Sequence, residues 1–94
     1  MATLPIGIIE DALAERGLDT SYYSSDETGS YTITGGSKVL EIIEGVSLDS
    51  FTSENVVEAI IYGEGKQDLT DATATFESVE TVEEFLKAVS EIFA

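Results

Sequence analysis

The chain contains no cysteine and no histidine. Disulfides, thiolate nucleophiles, zinc sites built on sulfur or imidazole, and the usual general base near neutral pH are therefore excluded by missing atoms. Base is scarce as well. Four lysines and arginines stand against 19 aspartates and glutamates, for a formal net charge of −15 and an isoelectric point near 4.1. Such a surface repels phosphate backbones and anionic membranes, so neither direct nucleic-acid binding nor membrane association is expected. It steers basic partners inward instead. No apolar run approaches the roughly 20 residues needed to span a bilayer. Met1-Ala2-Thr3-Leu4-Pro5 lacks the positive flank of a signal peptide. The expectation is a cytoplasmic, intracellular protein, acting in a host cell if it is viral.

What is present argues for a folded chain. Of 94 residues, 43% are hydrophobic, which separates the protein from a disordered acidic tail. The length predicts a single domain spanning 1–94 with a thin core.

The most regular stretch is Thr81 to Phe93. Val82, Phe85, Leu86, Val89, Ile92 and Phe93 form an apolar stripe at helical spacing, and Thr81 with Glu84 makes a capping-box signature. A second helix is predicted from about Leu4 to Arg16, with Thr3 as N-cap, Pro5 in the first turn, and Ile6, Ile9 and Leu13 on one face beside Leu4, Ile8 and Ala12. Gly17 fits the left-handed position that ends it, and Leu18 would then touch Leu13.

Between the helices, strand signals dominate. Thr20 to Ser25, a turn at Asp26-Glu27-Thr28-Gly29, and Ser30 to Thr34 predict a hairpin, with Tyr31 and Ile33 on one face and Thr32 and Thr34 on the other. Gly35-Gly36-Ser37 is a turn. Lys38 to Val46 follows, with Leu40 and Ile42 on one strand face and Val39, Glu41 and Ile43 on the other; the same residues also fit a helical stripe at 39, 42, 43 and 46, and strand is preferred. Ser47 to Asn55 is polar and reads as a loop or a helical turn. Val56 to Tyr62 is again strand or helix, with strand favoured by its β-branched content. Asp68 to Val79 alternates and is predicted as a strand. The sum is an α+β two-layer sandwich: an antiparallel sheet of four to five strands, with N-terminal and C-terminal helices packed on one face.

No motif carries catalysis or a family assignment. Gly63-Glu64-Gly65-Lys66 resembles a phosphate loop only in part, because a Walker A motif needs Gly at 60 and Ser or Thr at 67, where the chain has Ile60 and Gln67. The spacing of a calcium loop is absent, although Asp68 with Asp71, or Glu77 with Glu80, would suffice for weak ion contact. Paired carboxylates are expected by chance in so acidic a chain. The protein is read as a non-enzyme with no cofactor and no metal.

The candidate partner-binding residues are the acids Glu77, Glu80, Glu83 and Glu84, the helix acids Glu10, Asp11 and Glu15, and the tyrosines Tyr22 and Tyr23. Carboxylates along regular elements can imitate a phosphate ladder; equally, they can form an ordinary solvated face, and Glu83 and Glu84 also suit a helix N-terminus. Tyr22 and Tyr23 point to opposite faces if their segment is a strand, so one of them is available as an interface anchor. Two functions follow. One is an interaction module docking on a basic protein surface, with a phage-type inhibitor of a nuclease or CRISPR complex, or a nucleic-acid mimic, as its concrete form. The other is a virion, assembly or homo-oligomer subunit, built through sheet edges or the second sheet face, whose acidity reflects solubility or a high-salt habitat.

Overall fold

A computed structural model describes residues 3–24, 28–45 and 50–94. Its main sheet has five antiparallel strands in the order β2 (Asp19–Ser24), β3 (Gly29–Gly35), β4 (Lys38–Glu44), β6 (Val56–Tyr62) and β7 (Asp68–Asp71). A short pair, β1 (Thr3–Pro5) with β5 (Ser50–Thr52), makes a separate two-stranded sheet. Helices α1 (Ile6–Glu15), α2 (Thr73–Glu77) and α3 (Val82–Ile92) form the second layer. The α+β sandwich expected from the sequence is therefore the observed architecture. No helix among the described residues is long and apolar enough to cross a membrane.

Strand pairing explains the layering. Tyr31 pairs with Ile42 and Ile33 with Leu40, and these in turn oppose Ala59 and Ile61 of β6. The alternation of the pleat thus gathers one apolar face, and the helices cover it. Ile9 and Leu13 of α1, Phe76 of α2, and Phe85 and Val89 of α3 are fully buried there. The rings of Tyr22, Tyr31, Phe85 and Phe76 form a chain through this layer. Their successive centroid separations are 6.2, 6.5 and 5.6 Å, and the first and last contacts are edge-to-face, the arrangement favoured by aromatic quadrupoles. The Tyr31 hydroxyl is enclosed and meets no partner at ordinary hydrogen-bond geometry among the described residues. Burial pushes its pKa up to about 12, with the charge of Glu10 adding to the rise and the approach of the Thr20 side chain opposing it. Glu44 is also fully buried, at the end of β4 opposite Gly29 and Val56.

Helix ends follow the sequence closely in two places. The Leu18 N–H donates to the Leu13 carbonyl and the Gly17 N–H to the Ala14 carbonyl, with Gly17 at φ 80°, a complete Schellman ending. At the start of α3, the Thr81 hydroxyl accepts from the Glu84 N–H at 3.1 Å and donates to the Glu84 carboxylate at 3.2 Å. Gly35 is needed for space: a Cβ there would stand 2.6 Å from Leu18 Cδ2 and 2.8 Å from Phe93 Cδ1. The chain past α1 and the end of α3 therefore press directly on the sheet.

Three expectations are corrected. Helix α1 begins at Ile6 and not near Leu4, because residues 3–5 pair with β5; Pro5 occupies the N-cap position without a side-chain cap, so Thr3 is not the cap. The polar 50–55 segment does hold a short helical turn, a 3-10 turn at Ser53–Asn55, but strand β5, which was not expected, precedes it. Residues 68–79 are not one strand. β7 stops at Asp71, where the carboxylate accepts from the Thr73 N–H at 2.9 Å and from its hydroxyl at 2.5 Å, and α2 starts. These bonds hold the Asp71 carboxyl below its ordinary range. The Thr73 hydroxyl in turn accepts from the Ala59 N–H at 2.9 Å, and the Ala59 carbonyl takes the Ala72 N–H, so the ladder to β6 is continued by the residues that open α2. β4 and β6 are strands, as preferred from the sequence, and the helical alternative is discarded. The turn residues Asp26 and Glu27, Val46, and the stretch from Ser47 to Asp49 lie outside the described residues.

Candidate interaction surface

The acids singled out in the sequence all lie in the helix layer. Asp11 and Glu15 are exposed on α1, and Glu10 is half-buried beside them. Glu77 is exposed at the end of α2, Glu80 in the link to α3, and Glu83 and Glu84 in the first turn of α3. Glu84 is already engaged by the Thr81 cap. Arg16, Lys38 and Lys87 act on the same layer. Arg16 donates to the Leu86 carbonyl at 3.3 Å and to the Ser90 hydroxyl, and Lys38 donates to the Ile92 carbonyl at 3.1 Å, where cations favour a helix C-terminus. Lys87 shares a shallow groove between α2 and α3 with Glu84 and Glu91. The acidity of this layer is thus partly offset.

The tyrosine pair divides as a strand requires. Tyr22 faces the helices and packs edge-to-face on Tyr31, which gives it a core role. Tyr23 points the other way and is 68% exposed.

The opposite face of the sheet is different. In β3 and β4, inner residues are buried while outer ones stay half-buried along the whole length. Its first outer row is Thr34, Val39, Tyr62 and Asp68; the next is Thr32, Glu41, Ile60 and Asp71; the third carries Tyr23, Ser30, Ile43 and Glu58. Val39, Ile43, Ile60 and Tyr62 thus make an apolar strip, and every described charged side chain in these rows is acidic. A groove of about 340 Å³ opens over Thr32, Thr34, Val39, Glu41 and Tyr62. Desolvation raises the Tyr62 phenol above its ordinary pKa, and the charges of Glu41, Asp68 and Glu58 add to the rise. Three carboxylates therefore act on one ring.

The outward rows of Thr32, Thr34, Val39 and Glu41 follow from the alternation read in the sequence. Tyr62 does not. The register slips between Ile43 and Glu44, which pair with Glu58 and Val56, so Val57 is an extra residue in β6. Counting by twos from buried Val56 would turn Tyr62 inward, whereas the bulge turns it outward. Among the described residues no three acids are grouped closely enough to hold a metal ion.

No family model matches the chain, and neither a curated protein nor a solved structure is significantly similar to it.

Proposed function

We propose that this protein is a non-enzymatic interaction module that docks through the outer face of its main sheet on a basic surface of another protein. One observation carries the reading: an uncovered strip of Val39, Ile43, Ile60 and Tyr62 is bordered only by acids among the described charged side chains. Desolvating such a strip supplies affinity, while the acids supply steering and orientation. Nucleic-acid-binding proteins offer basic surfaces, so a phage-type inhibitor of a nuclease or CRISPR complex remains the concrete form, acting inside a cell. A strict phosphate mimic receives less support, because the carboxylates are spread over both layers. The chain takes no cofactor and contacts no nucleic acid or membrane directly in this reading.

The test is capture from extract of the native host at low salt, with the paired variant Glu41→Lys/Glu58→Lys alongside. Capture that falls steeply with salt and is lost in the variant supports docking by this face. Capture insensitive to both overturns it. The second reading, an assembly or homo-oligomer subunit, is favoured by the same apolar strip and by exposed Leu69 on edge strand β7. Salt separates the two by sign. Self-association would bring acid against acid and strengthen as salt rises, whereas docking on a base weakens.

A further inference from the structure

We propose that the groove over Thr32, Thr34, Val39, Glu41 and Tyr62 receives an arginine side chain of the basic partner. This rests on the docking reading above and names what that face recognises. The groove combines three features that arginine uses together. Val39 supplies an apolar floor for the methylene stem. The Tyr62 ring, opposite Val39 across the β4–β6 ladder, offers a face on which a planar guanidinium can stack. Glu41 is two residues along β4 on the same face, with Thr32 directly opposite it in β3. Its carboxylate and the two threonine hydroxyls are acceptors for the guanidinium fork.

Charge points the same way. Glu41, Asp68 and Glu58 all act on the Tyr62 phenol, so the groove lies in a negative field that a cation would relieve. Three of the chain's four bases are placed away from this face: Arg16 and Lys38 bond to the end of α3, and Lys87 lies between α2 and α3. The other acidic stretch, at the start of α3, lacks an aromatic platform and has Glu84 engaged in the cap. A planar cation is favoured over the ammonium of lysine because the groove offers several acceptors around one ring rather than a single point charge.

The test titrates isotope-labelled protein with acetyl-arginine amide at low ionic strength and, in parallel, with acetyl-citrulline amide, its neutral isostere. Amide shifts are read by NMR. The expected result is saturable change at Thr32, Thr34, Val39 and Tyr62. Binding should be weaker for citrulline by on the order of tenfold, the loss of one charge-assisted hydrogen bond. Glu41→Gln should weaken arginine binding comparably while leaving the rest of the spectrum in place, which separates a lost contact from a lost fold. Equal response to citrulline, or arginine-induced shifts distributed over all exposed carboxylates including Glu83 and Glu91, overturns the proposal. The two readings fail separately. If charge reversal at Glu41 and Glu58 abolishes partner capture but arginine does not enter the groove, docking stands and this inference falls. If arginine binds the groove but capture ignores the reversal, the site stands and docking by this face falls.

Discussion

On its inner face the sheet presents Tyr31, Ile33, Leu40 and Ile42, all fully buried; one residue along in the same strands, Thr32, Val39, Glu41 and Ile43 stay half-exposed. Backbone and pairing are shared, so the contrast comes from the second layer alone. Three helices cover one side and the described elements leave the other open. Burial converts the inner residues into stability, while the outer ones are free to serve contact. The inner face is also where polar groups are tightly constrained, as at the Tyr31 hydroxyl, whereas the outer face concentrates acids around a ring that water still reaches.

Substitutions and pH act on the two faces separately. The largest effect should come from Phe85→Ala, which empties the point where α3 meets both Tyr31 and Phe76; a loss of about 3–5 kcal/mol in urea unfolding is expected for a buried Phe truncated to Ala. Next comes alkaline pH. The unfolded Tyr31 phenol ionises near 10 and the folded one near 12, so the unfolded state releases a proton first. The stability contribution is complete below pH 10 and should be lost progressively as pH rises toward 12. Unfolding midpoints of wild type and Tyr31→Phe, compared across that window, should differ in slope, with the Phe variant flatter; parallel slopes would show that Tyr31 is not the group responsible. A smaller effect belongs to Thr81→Ala, which removes the cap at Glu84 and should cost about 1 kcal/mol by the same assay. The smallest is Glu41→Gln on the open face, expected to change stability by no more than roughly 0.5 kcal/mol. A large loss there would mean that the outer face is structural.

How much of this was legible depended on whether local rules ran undisturbed. The α3 stripe, the Gly17 ending and the Tyr31/Ile33 alternation could be read because each obeys one period along its whole length. Residues 56–62 could be read as a strand only in preference to a helix. The extra residue Val57 places Val56 and Ala59 on the same side, three apart, which imitates a helix. Residues 68–79 misled for the opposite reason. Ala72, Ala74 and Phe76 alternate by chance, while the buried set is Ala72, Phe76 and Val79, at helical spacing, after an Asp71 whose carboxylate accepts from the Thr73 N–H. That spacing was the available signal. For the site, the helix acids were visible as clusters in the sequence, but the face around Tyr62 is assembled from three strands and a bulge, so no linear window contains it.

The clamps on α3 bear on the order in which the molecule is put together. Arg16 reaches Leu86 and Ser90 across 70 and 74 positions, and Lys38 reaches Ile92 across 54. The pairing of β2, β3 and β4, by contrast, joins near neighbours through short connections. Distant closures come late because the chain between them must first be ordered. The hairpins should therefore form the nucleus and α3 should lock afterwards. In stopped-flow kinetics, truncating Ile33 should chiefly slow folding and truncating Phe85 should chiefly hasten unfolding. On that account the last helix acts as a latch, fastened by two of the very few cations the chain possesses.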